Sequence, residues 1–230
     1  MSIAPEEFSR YLEHLKGEIF AQGKRVQDLL ESAVEVLFNA DAERARAVVE
    51  ADREVDRFDV QIEREAVNLL SCPRELTARE VRETLTIVKV NNDLERIADS
   101  AVNVAEEVQS FISLPSLPPP TFRVMANSVI AMVRDSMQSL KTGDTDLAKL
   151  VLNADNAVDE FKSQILRDTE IQLASGVHTV DFAFSLIAIA TDLERIADHA
   201  TNICEQVIYQ ETGMIVRHGQ SGWGDLTEVE

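Results

Sequence analysis

A seven-residue segment that occurs twice constrains the fold of this chain more than any other feature. Residues 93–99 have the sequence Asp-Leu-Glu-Arg-Ile-Ala-Asp, and the same seven residues return unchanged at 192–198, 99 positions later. An identical repeat of this length within 230 residues indicates two related halves that share one architecture. The fold therefore has to be one that a chain can build twice.

Apolar residues lie at matching positions around both copies. They follow one another at steps of three or four residues, the period of a helix with one face packed against other helices. The matching sets are Ile87, Val90, Leu94, Ile97, Ala101, Val104 and Val108 in the first half, and Leu186, Ile189, Leu193, Ile196, Ala200, Ile203 and Val207 in the second. Each copy is therefore predicted to be part of a long core helix.

Capping and turn residues predict four further helices. Asp41 and Asp144 are good N-caps, and Gly17 and Gly23 are expected to be weak points of the first helix. The six predicted helices span about 5–38, 42–71, 78–111, 121–141, 145–174 and 179–211. With few aromatic, Gly and Pro residues, the predicted fold class is all-α: two tandem three-helix bundles related by an internal pseudo-two-fold.

The predicted domain organisation follows from these helices. The first three-helix repeat occupies residues 1–112 and the second occupies 121–212. A Pro-rich connector, 113–120, separates the two repeats. Residues 213–230 are acidic and glycine-containing without helical periodicity, so a flexible tail is expected there.

Acidic pairs accompany the apolar stripes. Two carboxylates four residues apart stack on one helix face and repel by a few tenths of a kcal/mol. Each half has one such pair on its middle helix and one on its last: Asp52 and Asp56 with Glu95 and Asp99, then Asp155 and Asp159 with Glu194 and Asp198. On the second helix, Asp56 is expected to share a stripe with Val49, Val60 and Val67. A duplicated, self-repelling arrangement beside the core suggests a bound cation.

Spacing along the helices places the acidic pairs of each half at one height. Asp159 and Glu194 each lie about fifteen residues from their hairpin tip, or about 22 Å at 1.5 Å per residue. Asp56 and Glu95 agree to within one turn by the same measure. Four clustered carboxylates cannot all stay ionised without a cation. An all-oxygen set favours Mg, Ca, Mn or oxidised iron, and Asn103 and Asn202 could add ligands or outer-shell bonds.

An alternative interpretation treats the acids as solvated surface positions. Arg53, Arg96 and Arg195 could neutralise them, since arginine at i,i+3 reaches an acid on the same helix face. On this interpretation Arg96 pairs with Asp99 and Arg195 with Asp198. His199 follows Asp198, whereas the first half has Ser100, and a lone histidine is more often a surface or packing residue than a ligand.

Composition excludes several classes of function. The formal net charge of −19 disfavours nucleic acid and anionic lipid as partners. The uncharged run 182–191 is about half of the ~20 residues needed to span a bilayer, so no membrane insertion is predicted. Nothing resembles a signal peptide, and two isolated cysteines suit a reducing cytosol. A cytoplasmic protein is expected.

The chain has no phosphate-binding loop or nucleophile motif and is not expected to be an enzyme.

The motifs resemble those of the PhoU family over residues 5–219. They comprise Asp-x-x-x-Asp on each middle helix, Leu-Glu-Arg-Ile-x-Asp-x-Ala-x-Asn on each last helix, and the ending Ile-Val-Arg-His-Gly at 215–219. The resemblance implies a cytoplasmic regulator of phosphate homeostasis that binds multinuclear metal clusters, often iron, on the eight acids above. It also implies a homodimer that represses phosphate uptake and the starvation response through the transporter ATPase and a phosphate-sensing histidine kinase.

This chain departs from the family pattern beside the last acid of each motif. Family members often have Gly before that acid and His after it, whereas this chain has Ala98 and Ala197 before it and Ser100 after the first.

The metal could be iron, Mg, Mn, Ca or Zn. Two other classes stay open on the residues alone: a metal-dependent hydrolase, which would need open coordination positions, and a metal-free helical scaffold.

Overall fold

Six helices build the molecule. The structure, a computed structural model, describes residues 5–111, 118–219 and 222–225. The helices are α1 (Pro5–Asn39), α2 (Ala42–Leu70), α3 (Ala78–Phe111), α4 (Pro120–Thr142), α5 (Thr145–Ala174) and α6 (Val180–Thr212), and two short strands follow, β1 (Val216–Gly219) and β2 (Gly222–Asp225). These bounds differ from the predicted ones by one residue at most, and the six-helix, two-repeat fold is confirmed. Residues 113–117 of the predicted connector lie outside the described ranges.

The helix ends follow the capping chemistry of the sequence. The Asp41 side chain accepts hydrogen bonds from the backbone N–H groups of Glu43 and Arg44 at 3.0 and 3.1 Å. Asp144 caps α5 in the same way. Helix α4 ends at Gly143, whose φ of 66° is left-handed and suits a residue without a Cβ. These caps fix where each helix of a hairpin starts, and hence which side chains face each other.

Helices α3 and α6 form the centre of the molecule. Each packs against the other two helices of its own half, and α3 and α6 make the most extensive contact of all. The apolar stripes predicted around the two motif copies are buried, with Leu94 and Leu193 fully enclosed. A long buried apolar face is the main source of helix stability in such bundles. The two repeats therefore share one core across the α3–α6 interface.

The buried face of α2 is not the one expected. Val60 and Val67 are 52% and 54% exposed. The buried face comprises Ala45, Val48, Val55, Ile62, Ala66 and Leu69. Val55 precedes Asp56 by one residue, or about 100° of helix rotation. The predicted stripe is therefore wrong, and Asp56 lies on the exposed side of the boundary between the core and the solvent.

Gly23 lies where the two halves approach each other. A methyl group at this position of α1 would overlap the Met137 side-chain end on α4. The glycine thus permits close packing between the repeats. It was expected to be a weak point of the helix on propensity alone, but tertiary contact gives it a different role.

Part of residues 213–230, for which a flexible tail is predicted, forms two short strands. Strands β1 and β2 pair antiparallel, with Val216 opposite Asp225. Val216 packs against the core, and Arg217 forms an ion pair with Glu205 on α6. The sequence contains no local pattern that predicts these tertiary contacts. Residues 220–221 and 226–230 lie outside the described ranges. No helix in the described part of the chain is long and apolar enough to cross a membrane.

Candidate metal centre

The first acidic seam consists of Asp52, Asp56 and Asp59 on α2 and Glu95 and Asp99 on α3. Burial, together with the neighbouring carboxylates of Asp56 and Asp99, raises the pKa of Asp52 to about 6. Burial also raises the pKa of Glu95, and Asp99, Asp59 and Asp56 add to that rise while Arg96 opposes it. Carboxylates from both helices therefore repel one another across the seam, as the helix spacing predicted. That these acids bind metal stays a prediction.

Asp59 and Asn91 belong to this seam but were not among the predicted residues. Burial, Glu63 and Asp56 raise the pKa of Asp59. The Asn91 Nδ2 donates hydrogen bonds to the Asp59 Oδ1 at 2.7 Å and to its backbone oxygen at 3.0 Å. Asn91 precedes Glu95 by four residues, so a search for polar side chains along the face of α3 would have found it.

The side-chain carbonyl of Asn91 is a further oxygen beside the first acidic seam. The residue is only 2% exposed, and its Oδ1 accepts no hydrogen bond from any residue of 5–111, 118–219 or 222–225. Buried polar atoms in native proteins nearly always have a partner. Amide carbonyls also ligate hard cations such as Ca²⁺. This oxygen is therefore chemically suited to ligate a hard cation or to accept a hydrogen bond from a water molecule.

Arg96 partly neutralises the first acidic seam from the outside. Its Nε lies 3.1 Å from the Glu95 Oε2, and one terminal nitrogen lies 2.9 Å from the Asp99 Oδ2. The Arg96 side chain is 54% exposed, and exposed ion pairs of this kind contribute about 0–1 kcal/mol. The predicted pair with Asp99 is confirmed. Because Arg96 and both acids belong to α3, the pair does not link α3 to α2.

The donor atoms of the first acidic seam are of the type that binds a hard cation, but their positions do not form a coordination site. Five carboxylates and an amide supply only oxygen donors, which suits the metals that the family resemblance implies. In the part of the chain that the structure describes, no three Asp, Glu, His or Cys side chains converge closely enough to hold one ion. Ligation would therefore require rotation of accessible side chains such as Asp56.

The second acidic seam consists of Asp155 and Asp159 on α5 and Glu194 and Asp198 on α6. Here Lys162 of α5 reaches across to α6, and its Nζ lies 2.8 Å from the Glu194 Oε2. Partial burial, Glu194 and Asp159 raise the pKa of Asp198, whereas His199 and Lys162 oppose the rise. Asp159, Glu194 and Asp198 are again neighbours, but an ammonium group of the chain lies among them. Asp155, the fourth predicted acid, is buried. Sequence reasoning, which looked for acids, missed this lysine.

A second polar arrangement joins the halves; we call it the reciprocal clasp. Asn202 Nδ2 donates to Asp93 Oδ1 at 3.1 Å, and Asn103 Nδ2 donates to Asp192 Oδ1 at 3.4 Å. His199 Nδ1 lies 2.9 Å from the same Asp93 oxygen. The predicted role of Asn103 and Asn202 beside the metal is therefore corrected: each bonds to the first acid of the other half's motif.

Arg195 also differs from its expected pairing. It bonds to Asp192 at 3.3 Å, one turn before it, and not to Asp198. Burial raises the pKa of Asp192, while the amide of Asn103 and the guanidinium of Arg195 oppose that rise. The first acid of each motif copy thus belongs to the interface between the repeats. In the second motif copy, the later acids Glu194 and Asp198 belong to the second acidic seam.

Fold and seams together define a class of all-helical double-repeat proteins that present clustered carboxylates on each three-helix unit. The chain belongs to the PhoU family: the PhoU domain matches residues 21–108 and again 122–207. The two matches correspond to the two repeats.

Individual relatives agree with this assignment. The phosphate-specific transport system accessory protein PhoU homolog 1 of Thermotoga maritima is 33% identical over 213 residues, which are 90% of this chain and 89% of that protein. The crystal structure of PhoU from Pseudomonas aeruginosa matches with a TM-score of 0.86 at 30% identity, over 90% of this chain and 99% of that one. PhoU from Streptococcus pneumoniae, at 22% identity and a TM-score of 0.85 over 91% and 99%, supports the fold alone.

Proposed function

We propose that this protein is a cytoplasmic, non-enzymatic regulator of phosphate transport that binds metal ions on its acidic seams. The relative from Thermotoga maritima is named as an accessory protein of a phosphate-specific transport system. In this proposal the protein acts as a homodimer on the transporter ATPase and on a phosphate-sensing histidine kinase. It lowers phosphate uptake and the starvation response when phosphate is plentiful.

The observation that carries the metal part of the proposal is the mutual repulsion within the first acidic seam. Burial raises the pKa of Asp52 to about 6, and the carboxylates of Asp56 on the same helix and Asp99 on α3 add to that rise. Acids from two helices therefore lie close together without enough positive charge between them. A multivalent cation, with iron as the leading candidate and Mg, Mn, Ca or Zn as alternatives, would supply that charge. Such an arrangement has no value for packing, since apolar residues would fill the seam at lower cost.

The chain's own residues connect this seam to the rest of the molecule. Glu95 and Asp99 lie on one face of α3, and Asp93 of the reciprocal clasp lies on another face of the same helix. Occupation of the seam therefore acts on a helix that also contacts the second half. We propose that the state of the seam sets the relative position of α2 and α3, and with it the surface that a partner protein meets.

Replacement of Glu95 and Asp99 by alanine tests the proposal. The variant should lose the metal of the first acidic seam, measured by elemental analysis after purification without chelators, and should keep its helical circular dichroism. In cells with ample phosphate, a reporter of phosphate-starvation genes should be derepressed.

A matched control is the double replacement of Glu50 and Glu54 by alanine. These exposed acids are also four residues apart on α2 but lie outside the seam. The control should keep both its metal and its repression. Unchanged metal content in the Glu95/Asp99 variant and in the equivalent Glu194/Asp198 variant would refute metal binding by the seams.

A further inference from the structure

The two seams differ one turn of helix beyond the second acid of their α2 or α5 pair. The acids of α2 and α5 correspond at an offset of 103 residues, since Asp52 matches Asp155 and Asp56 matches Asp159. At the same offset Asp59 matches Lys162. One turn of helix beyond the second acid, the first half therefore has a carboxylate and the second half has an ammonium group.

The opposing helices differ as well. The acids of α3 and α6 correspond at an offset of 99 residues, and at this offset Asn91 matches Ala190. The buried amide that bonds to Asp59 therefore has no counterpart in the second half. The first acidic seam has five carboxylates and an amide, whereas the second has four carboxylates and a lysine.

Lys162 joins the two helices of the second acidic seam through an ion pair. Its Nζ on α5 contacts Glu194 on α6 at 2.8 Å, and both side chains are only 24% exposed. The lysine therefore links the two helices of the seam, as a shared metal ion would. Arg96 does not do this in the first half, because it pairs with acids of its own helix and is 54% exposed.

We propose that Lys162 neutralises the second acidic seam in place of a metal ion, so that metal binding in this protein is confined to the first seam. The inference rests on the proposed metal binding by the seams and restricts it to one of them. A protonated lysine has three donors and no lone pair, so it cannot ligate a metal. A metal ion at the second seam would have to displace this ammonium from Glu194 or lie beside a like charge.

Manganese titration of the full chain tests the proposal. The protein is stripped with a chelator, and Mn²⁺ uptake is followed by the loss of the electron paramagnetic resonance signal of free Mn²⁺. The amide variant Glu95→Gln with Asp99→Asn should weaken uptake by more than about tenfold. The matching variant Glu194→Gln with Asp198→Asn should leave uptake as in the unchanged protein. Lysine replacement provides the converse test.

Lys162→Asp places an aspartate in the second acidic seam at the position that corresponds to Asp59 of the first. This variant should gain a further class of Mn²⁺ sites, and adding Glu194→Gln with Asp198→Asn should remove that class again. Lys149→Asp, an exposed position of α5 outside the seam, should change nothing. If Lys162→Asp does not fold without metal, Lys162→Gln carries the same test, since it also removes the tethered cation.

The outcomes separate this inference from the proposed function. Equal loss of Mn²⁺ from both amide variants would overturn the inference and leave metal binding intact. No gain of sites in either Lys162 variant would also overturn it. Uptake in the Lys162 variants with none in the unchanged protein would support the role of Lys162 and refute metal binding by the natural protein. No uptake by any variant would overturn both.

Discussion

Replacing Asp52 by asparagine is expected to stabilise the metal-free protein at neutral pH. The pKa of this carboxyl is raised from 3.8 to about 6 in the folded state, so its ionised form is disfavoured there. A shift of about two pH units corresponds to about 3 kcal/mol at about 1.4 kcal/mol per unit. Because Asp52 is only half-buried, solvent screening reduces this to about 1 kcal/mol. For a domain of this size, that is a rise of about 2–4 °C in Tm.

The pH dependence of this effect has a definite sign. Between about pH 4 and 6, the folded state holds a proton on Asp52 that the unfolded state has lost, so this group lowers the stability of the protein as pH rises. The gain from Asp52→Asn should therefore be complete above pH 6 and absent below about pH 4. At pH 5 about half of it should remain.

Thermal unfolding of chelator-treated protein, followed by circular dichroism at pH 5.0 and 7.5, measures the effect. Glu50→Gln, an exposed position of the same helix, serves as the control and should change stability by less than about 0.5 kcal/mol. With saturating Mn²⁺ the sign should reverse, because asparagine is a weaker ligand than a carboxylate. A loss of stability without metal at pH 7.5, or a gain that is the same at both pH values, would refute the reasoning.

Other expectations address the interface, the core, the thiols and the assembly. Asn202→Ala leaves the buried Asp93 with one fewer donor and should cost about 1–3 kcal/mol in urea unfolding, whereas exposed Asn127→Ala should cost under about 0.5. Phe122→Ala empties a fully buried site and should cost about 3–5 kcal/mol in the same assay. Burial raises the pKa of the Cys204 thiol, so iodoacetamide should label it only after unfolding, as peptide mass mapping would show. Light scattering should give twice the 25.6 kDa mass of one chain; a single-chain mass would contradict the proposed homodimer.

The helices and the acidic seams were predictable because they rest on local, periodic patterns. The stripes around Leu94 and Leu193 repeat at helical spacing over many turns, and hairpin geometry then places Glu95 opposite α2. Caps such as Asp41 made the helix bounds accurate to within a residue. The face of α2 was harder to predict, because valines occur on two sides of that helix and only tertiary packing selects Val55 for burial.

The reciprocal clasp was not predictable from one helix at a time. It depends on how α3 and α6 cross, and the asparagines of the motif are equally compatible with a metal site until that crossing is known. Lys162 is a different case. Its correspondence to Asp59 is visible in the aligned repeats, but only the 2.8 Å contact shows that its ammonium group pairs with Glu194.

The reciprocal clasp also bears on the origin of the chain. Asp93 corresponds to Asp192 and Asn103 to Asn202, so each of the two Asp–Asn bonds is the image of the other. Such exchange of contacts is the mark of an isologous interface between identical subunits. The two repeats thus meet as the subunits of a homodimer would, joined into one polypeptide. Identical subunits must carry the same residue at each position, whereas a joined chain can place Asp59 in one seam and Lys162 in the other.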